Sequence, residues 1–287
     1  MMARIDAHHH LWRLADRPQA WLDGPEMAAI RHDFALADLR AETAAGRIDR
    51  TILVQVLPDL DETAGFLALA ADSALVAGVV GWTDLTTGFI AEVLAGLRAA
   101  PGGDKLVAIR HLVQAEPDPQ WLNRTDVRRG LRAVAEAGLS YDLLTLPHQL
   151  PAAIDTVRAL PELTFVVDHL SKPPIASGEL EPWASRIRRL AAEPNVHCKL
   201  SGMVTEADRA GWRVDDLRPY AETVLDAFGP QRVMFGSDWP VCLLAASYSD
   251  VCEAAEKLTA DLSAEERAEV FGGTAARAYR LPAAESA

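Results

Sequence analysis

Cysteine is scarce in this chain. Only three occur in 287 residues, Cys198, Cys242 and Cys252, and none stands in a CxxC pair. That spacing supports neither a disulfide framework nor a thiolate zinc knuckle, and it predicts a reducing compartment. Long apolar runs are absent too: no stretch of eighteen consecutive apolar residues occurs, so there is no candidate membrane-spanning helix. The opening residues "MMARIDAHHHLW" lack the apolar core of a secretory signal, and a cytoplasmic location is expected. Basic residues are in deficit, 28 Lys and Arg against 41 Asp and Glu, for a net charge of −13. Nucleic acids and anionic membranes bind through basic surfaces, so neither is expected as a partner. An anionic substrate stays compatible, because one arginine can invert the field inside a pocket. No GxGxxG follows the first apolar segment, which removes the main support for a dinucleotide fold. There is no linker and no low-complexity tract.

What is present reads as one large α/β domain spanning residues 1–287. Hydrophobic residues make up 49% of the chain and charged residues 24%, enough apolar material for a sizeable core. Eight short apolar segments read as strands: Arg4–His8, Thr51–Leu57, Leu75–Trp82, Lys105–Leu112, Ser140–Leu146, Leu163–Leu170, Val196–Gly202 and Arg232–Asp238. Several are continuous β-branched runs such as "TILVQV" and "LVAGVVGW", as expected of parallel strands covered on both faces. Helix-like stretches lie between most of them. "TDVRRGLRAVAEAG" has Thr125 as a candidate cap, an apolar stripe through Val127, Leu131 and Val134, and a stop at Gly138. "SAEERAEVF" carries the Ser263/Glu266 spacing of a capping box. The strand repeat of roughly 25 to 35 residues is that of a βα unit, and eight units predict a single (β/α)8 TIM-type barrel. The first interval is longer, with an insertion at about 13–46 marked by Pro18, Gly24 and Pro25.

In such barrels the C-terminal strand ends build the site. The ionisable residues collect there: His8-His9-His10 on strand one, Arg110-His111 on strand four, Asp168-His169 on strand six, Asp238 on strand eight, and His148 in the loop after strand five. Side chains alternate along a strand, which puts His8 and His10 on one face with Asp6 and turns His9 the other way. The same parity groups His169 with Phe165 and Val167, and Asp238 with Met234 and Gly236. His9, His32 and His197 read as hydrogen-bonded structural histidines. Arg110 and His111 are adjacent and cannot both face inward. Arg110 is the better pocket residue because a guanidinium grips oxygens bidentately, the alternative being an ion pair with a carboxylate on a neighbouring strand.

Together "DAHHHLW", "IRHLVQAEPDPQWL", "YDLLTLPHQLP", "VVDHLSKPPI", "CKLSGMVTEAD" and "RVMFGSDWPV" resemble the amidohydrolase-2 branch of the amidohydrolase superfamily, and within it the sugar-lactone hydrolases that include L-fuconolactonases and L-rhamnono-1,4-lactonases. The resemblance implies an amidohydrolase-like distorted barrel and hydrolysis at a carbonyl. It places the HxH pair on His8 and His10, the strand-six histidine on His169 and the strand-eight aspartate on Asp238. Binuclear members bridge two metals with a strand-four lysine. Arg110 and His111 stand there in this chain, so the resemblance implies one divalent ion, zinc, on His8, His10, His169 and Asp238, or none at all.

Lactone hydrolysis needs a base for water, an electrophile at the carbonyl and an acid for the departing alkoxide. Asp238 is the candidate base, with His8, His10 and His169 as zinc ligands or direct hydrogen-bond donors. Arg110, His111 and His148 are candidates for substrate oxygens, and Trp82 and Trp239 for a sugar-ring face. Lys172 and Lys199 are candidates for substrate oxygens or proton transfer, the alternatives being a loop charge and an internal salt bridge. The expected partner is a small sugar lactone, and the expected assembly a monomer or homodimer. A metal-dependent decarboxylase or amide hydrolase of the same superfamily is the alternative activity. A non-catalytic barrel would have lost the inward ionisable set, which is intact here.

Overall fold

The computed structural model describes residues 2–282. Eight parallel strands, β1 (Ile5–His9), β2 (Arg50–Val54), β3 (Val76–Gly81), β4 (Leu106–His111), β5 (Ser140–Leu143), β6 (Phe165–Val167), β7 (Val196–Leu200) and β8 (Val233–Phe235), pair in sequential order. The helices are α1 (Leu36–Ala45), α2 (Leu60–Ala71), α3 (Ile90–Ala99), α4 (Thr125–Glu136), α5 (Leu150–Ala159), α6 (Trp183–Ala191), α7 (Met203–Glu206), α8 (Val214–Phe228), α9 (Tyr248–Leu258), α10 (Ala264–Ala268) and α11 (Thr274–Ala278). The result is a (β/α)8 barrel. Its seam between β1 and β8 is not a full ladder. It is stitched by His10 N–H to Trp239 O at 2.7 Å and Asp238 N–H to His8 O at 2.8 Å, so the two most polar strand ends are also the closure. No helix among the described residues is long and apolar enough to cross a membrane.

Local chemistry explains the elements. In α4, Val127, Leu131 and Val134 bury one stripe against the sheet, and Gly138 follows with φ +69. Thr125 is the first helical residue rather than the cap, which falls on Arg124 without a side-chain bond. Ser263 and Glu266 form the capping box of α10 as read. Of the expected 13–46 insertion, only residues up to about 35 lie outside the barrel repeat, because α1 is the helix that joins β1 to β2. Its two 3-10 turns, Ala20–Leu22 and Pro25–Ile30, are held by paired backbone bonds between Trp12 and Phe34.

Apolar side chains form two layers. Leu53, Ile109, Phe165, Val167 and Phe235 face the helices. Ile5, Ala7, Ile52, Val54, Val166 and Met234 fill the barrel, together with Ala275 and Ala278 of α11 and the following Tyr279. The strands are shorter than the apolar runs suggest, most of all β6 and β8, so the polar residues after them stand on loop backbone.

One irregularity reorders β1. Asp6 is opposite Thr51, yet His9 is opposite Leu53, three steps against two, which is a bulge. Ile5 and Ala7 therefore join the barrel interior, and Asp6 does not share a face with His8 as simple alternation predicts. Asp6 instead accepts hydrogen bonds from Tyr248 of α9 at 3.0 Å and from the backbone and hydroxyl of Ser237 at 2.8 and 2.6 Å. Burial pushes its carboxyl up to about 6 against those bonds. Its work is at the seam.

A cavity of about 460 Å³ opens between the insertion and α2, lined among others by Trp12, Phe34, Phe66 and Glu62. Glu62 Oε2 accepts the amides of Val56 and Leu57 at 2.8 and 3.0 Å, and burial pushes its carboxyl up to about 7. A folded value above the ordinary 4.5 means the contribution is fully present below about pH 4.5 and lost as pH rises through about 7. Glu62→Gln keeps an acceptor for both amides and cannot ionise. In urea unfolding, wild type and variant are expected to match near pH 4.5, with the variant ahead by up to about 3 kcal/mol at pH 8. Equal stability at pH 8 would count against this assignment.

Candidate active site

Four donors converge beyond the strand ends. His8 Nε2, His10 Nε2 and His169 Nε2 lie 3.7, 3.5 and 3.8 Å from Asp238 Oδ1, and His8 Nε2 is 3.1 Å from His10 Nε2. All four residues are buried. The bulge in β1 aims both His8 and His10 inward and leaves His9 outside, where its Nε2 meets Thr51 Oγ1 at 3.0 Å. Gly236 makes room for His8: a Cβ there would stand 2.8 Å from the His8 Cβ.

His169 arrives by a different route from the one alternation predicts. Phe165 and Val167 face the helices, while Val166 faces the interior and Asp168 follows it inward. His169 is turned back by a left-handed run, His169 to Lys172, with φ between 51 and 59. Asp238 also has a positive φ of 57. Gly202, at φ +65, is the close neighbour that permits this turn, since a Cβ would approach His169 Nδ1 to 2.6 Å. Four consecutive residues in a sparsely populated region are backbone strain concentrated where the donors are set.

Beneath the donors lies a buried charge network. Lys199 Nζ meets Asp142 Oδ2 at 2.5 Å, Asp168 Oδ1 at 2.9 Å and His8 Nδ1 at 3.0 Å. Arg110 Nη1 meets Asp168 Oδ2 at 2.9 Å, and its Nη2 meets the carbonyl and side chain of Gln55. Tyr279 donates to both oxygens of Asp142, at 3.1 and 2.9 Å. Burial would raise the Asp168 carboxyl, but the Lys199 ammonium and the Arg110 guanidinium hold it well below the carboxylate range. Asp142, for which burial outweighs Lys199, is pushed up to about 6. Burial alone would raise Asp238 as well; His169 and His10 reverse that and keep it ionised. Burial lowers His169 to about 4 and carries His8 well below the imidazole range, with Lys199 adding to the effect, so both are neutral.

Several candidates are placed differently from expectation. The Arg110 guanidinium is committed to Asp168 and Gln55, the ion-pair alternative, and does not offer itself to substrate. Lys199 is fully buried in its salt bridges and is likewise removed from substrate. Trp239 is 1% exposed and packs on Phe34 at 5.1 Å, leaving no free face for a sugar ring. His148 is an exposed loop residue apart from the cluster. Trp82 and His111 form a half-buried unit in which the indole N–H donates to His111 Nδ1 at 3.1 Å. His111 Nε2 meets Glu116 at 2.7 Å, and its ring stacks on Trp121. Lys172 pairs with Glu206 at 3.4 Å, both about a quarter exposed. His32 lies against Phe34, and His197 is half-buried on β7, lowered to about 4 mainly by burial.

Asp142, Ser201, Gln55 and Tyr279 are the residues that sequence reasoning passes over, along with an inward role for Asp168. An acid inside the apolar run "SYDLLTL" was an available signal, because a buried carboxylate needs a partner. Nothing local marks Tyr279.

The donor set suits one divalent ion. A tetrahedral ion with bonds near 2.0–2.2 Å needs donors roughly 3.3 Å apart; His8, His10 and Asp238 come together on that scale, and His169 Nε2 stands 3.8 Å from Asp238 Oδ1. His10 Nδ1 donates to Val54 O at 2.8 Å, which leaves the Nε2 lone pair free to ligate. His169 Nδ1 is tied to Ser201 Oγ at 2.8 Å, which fixes the direction of its ring. Three buried carboxylates, Asp142, Asp168 and Asp238, face two cations, and the surplus negative charge favours a bound cation.

Comparison with known proteins agrees with this geometry. The amidohydrolase family model of the amidohydrolase-2 type matches residues 5–281. An L-fucono-1,5-lactonase of Burkholderia multivorans is 42% identical over 290 residues, covering 97% of this chain and 96% of that one. An L-fucono-1,5-lactonase of Burkholderia ambifaria is 39% identical over 289 residues, covering 98% and 97%. The crystal structure of an amidohydrolase from Burkholderia multivorans with bound zinc superposes with a TM-score of 0.90 at 42% identity, covering 98% of this chain and all of that one. By its matched length, its sequential eight-stranded barrel and the histidine–aspartate cluster at the strand ends, this chain belongs to the amidohydrolase family.

Proposed function

We propose that the protein hydrolyses a sugar-acid lactone, an aldonolactone such as L-fucono- or L-rhamnono-lactone, by attack of water on the ring carbonyl. The observation that carries this reading is an ionised, buried Asp238 with three imidazole nitrogens converging on one of its oxygens. The names of the two Burkholderia relatives support the substrate class.

Asp238 is the general base. Its carboxylate accepts a proton from water, and His169 and His10 beside it hold the carboxyl below its ordinary value against burial. The left-handed backbone at Asp238 and at His169 holds the donors in place before substrate arrives, so little reorganisation accompanies attack. Zinc held by His8, His10, His169 and Asp238 would supply Lewis acidity at the carbonyl oxygen. Trp82, just after β3, and His111, at the end of the neighbouring β4, form a hydrogen-bonded pair suited to one face of a hydroxylated ring. Lys172, near enough to influence the charge states of both His169 and Asp238, is the cation available for ring hydroxyls or the departing alkoxide.

A panel of aldonolactones of both ring sizes, read by acid release with a pH indicator, tests the assignment. Turnover of at least one L-configured aldonolactone is expected. Release from none of them would sink it. Repeating the assay after chelation and after zinc addition shows whether the ion is needed: activity lost to chelator and restored by zinc is the expected result for a Lewis-acid role.

A further inference from the structure

We propose that Lys199 is a positioning residue that holds His8 as its Nε2–H tautomer, so that this imidazole meets the site as a hydrogen-bond donor and serves as a metal ligand only when the lysine contact is given up. Two separate contacts require this tautomer. An ammonium group has no lone pair, so the 3.0 Å contact between Lys199 Nζ and His8 Nδ1 makes Nδ1 the acceptor. A neutral imidazole then carries its hydrogen on Nε2. On the other side, a carbonyl only accepts, so His10 Nδ1 donates to Val54 O at 2.8 Å and His10 Nε2 keeps its lone pair. His8 Nε2 is 3.1 Å from that lone pair, a contact that is attractive only if His8 Nε2 bears the hydrogen. The chain of donors therefore runs from Lys199 through His8 and His10 to Val54.

Two longer contacts favour the opposite tautomer. Asp168 Oδ1 lies 3.4 Å from His8 Nδ1, and Arg110 Nη1 lies 3.4 Å from His8 Nε2. Each of those atoms has a closer partner, Lys199 for Asp168 Oδ1 and Asp168 Oδ2 for Arg110 Nη1, both at 2.9 Å. The shorter contacts decide. Lys199 cannot swing away, because it hydrogen-bonds Asp142 and is ion-paired with Asp168, and the Tyr279 hydroxyl beyond the last helix in turn holds Asp142. His10 is thus oriented as a ligand while His8 is not. Ligation through His8 Nε2 needs a lone pair there, which would leave Nδ1 with a hydrogen facing the ammonium and shift it toward Asp168.

The inference concerns the same site as the proposed hydrolysis, but its readouts involve no lactone, so it fails or stands separately. In the full-length protein stripped of metal, side-chain ¹⁵N NMR, with His8 assigned by the signal missing in His8→Asn, is expected to show a protonated Nε2 and an unprotonated Nδ1. The paired change Lys199→Met with Asp142→Asn removes one buried charge of each sign. It is expected to move the hydrogen of His8 to Nδ1 and to tighten zinc binding at least tenfold in competition with a chromophoric chelator. A wild-type His8 protonated on Nδ1 overturns the proposal, as does a folded double variant with unchanged or weaker zinc affinity. If the double variant does not fold, the wild-type spectrum decides alone.

Discussion

Asp238→Asn is expected to reduce kcat for lactone opening by roughly 10³-fold or more, the upper part of the range for loss of a general base. The change keeps shape and removes only charge and proton affinity. The backbone N–H of residue 238, which bonds His8 O and helps close the barrel, is untouched. Asparagine also tolerates the positive φ of 57 found there better than most residues. Circular dichroism and the melting curve should therefore stay close to wild type while initial rates collapse. His169 and His10 hold the wild-type carboxyl below its ordinary value, so its protonation sets no acid limb of kcat/KM near neutral pH. Turnover within tenfold of wild type in a folded Asp238→Asn protein would remove Asp238 as the base.

The second large effect is on stability. Lys199→Met leaves Asp142 and Asp168 as neighbouring carboxylates deep in the barrel, with Arg110 still serving Asp168 but only the Tyr279 hydroxyl serving Asp142. Breaking a buried pair by removing one partner costs about 3–5 kcal/mol, because the other charge stays desolvated. The pH dependence has a definite sign. Asp142 already stands at about 6 with the lysine present, and without it burial raises the carboxyl further. A raised folded value means stability is retained at low pH and lost as pH rises. The deficit of Lys199→Met, measured by urea unfolding, is therefore expected to be larger at pH 8 than at pH 5. Adding Asp142→Asn should recover most of it. A loss below about 1 kcal/mol at both pH values would show that the network is not a structural support.

The eight-unit repeat was legible because parallel strands buried on both faces leave continuous β-branched runs, and the runs recur at the length of a βα unit. The polar residues interrupting those runs near their ends, His8, His10, His169 and Asp238, stand out for the same reason: an ionisable group next to a buried strand needs a partner. Separating His9 from its neighbours was also within reach of simple alternation. Alternation erred, however, wherever the backbone departs from a regular strand. It grouped Asp6 with His8 across the bulge in β1, and it derived the direction of His169 from β6 when a left-handed turn sets it. It also extended strands through residues that are loop, because apolar character continues past the last ladder bond.

Which cations are free was decided by tertiary structure. Arg110 read as a substrate group because a guanidinium grips oxygens bidentately, and Lys199 as a candidate for substrate oxygens with an internal salt bridge as the alternative. Whether such a charge faces a ligand or a carboxylate depends on partners far along the chain: Asp168 is 58 residues from Arg110, and Asp142 is 57 from Lys199. Local spacing cannot register a pairing whose two halves lie on different strands, nor a tyrosine that closes the barrel floor from beyond the last helix. The amino-acid sequence by itself determined the barrel through its periodicity, singled out the four convergent donors through the cost of burying charge, and indicated the family through the resemblance of its motifs. Only the tertiary structure decided which atoms of those donors face one another, because hydrogen-bond direction is set by what stands three ångströms away and not by what is adjacent in the chain.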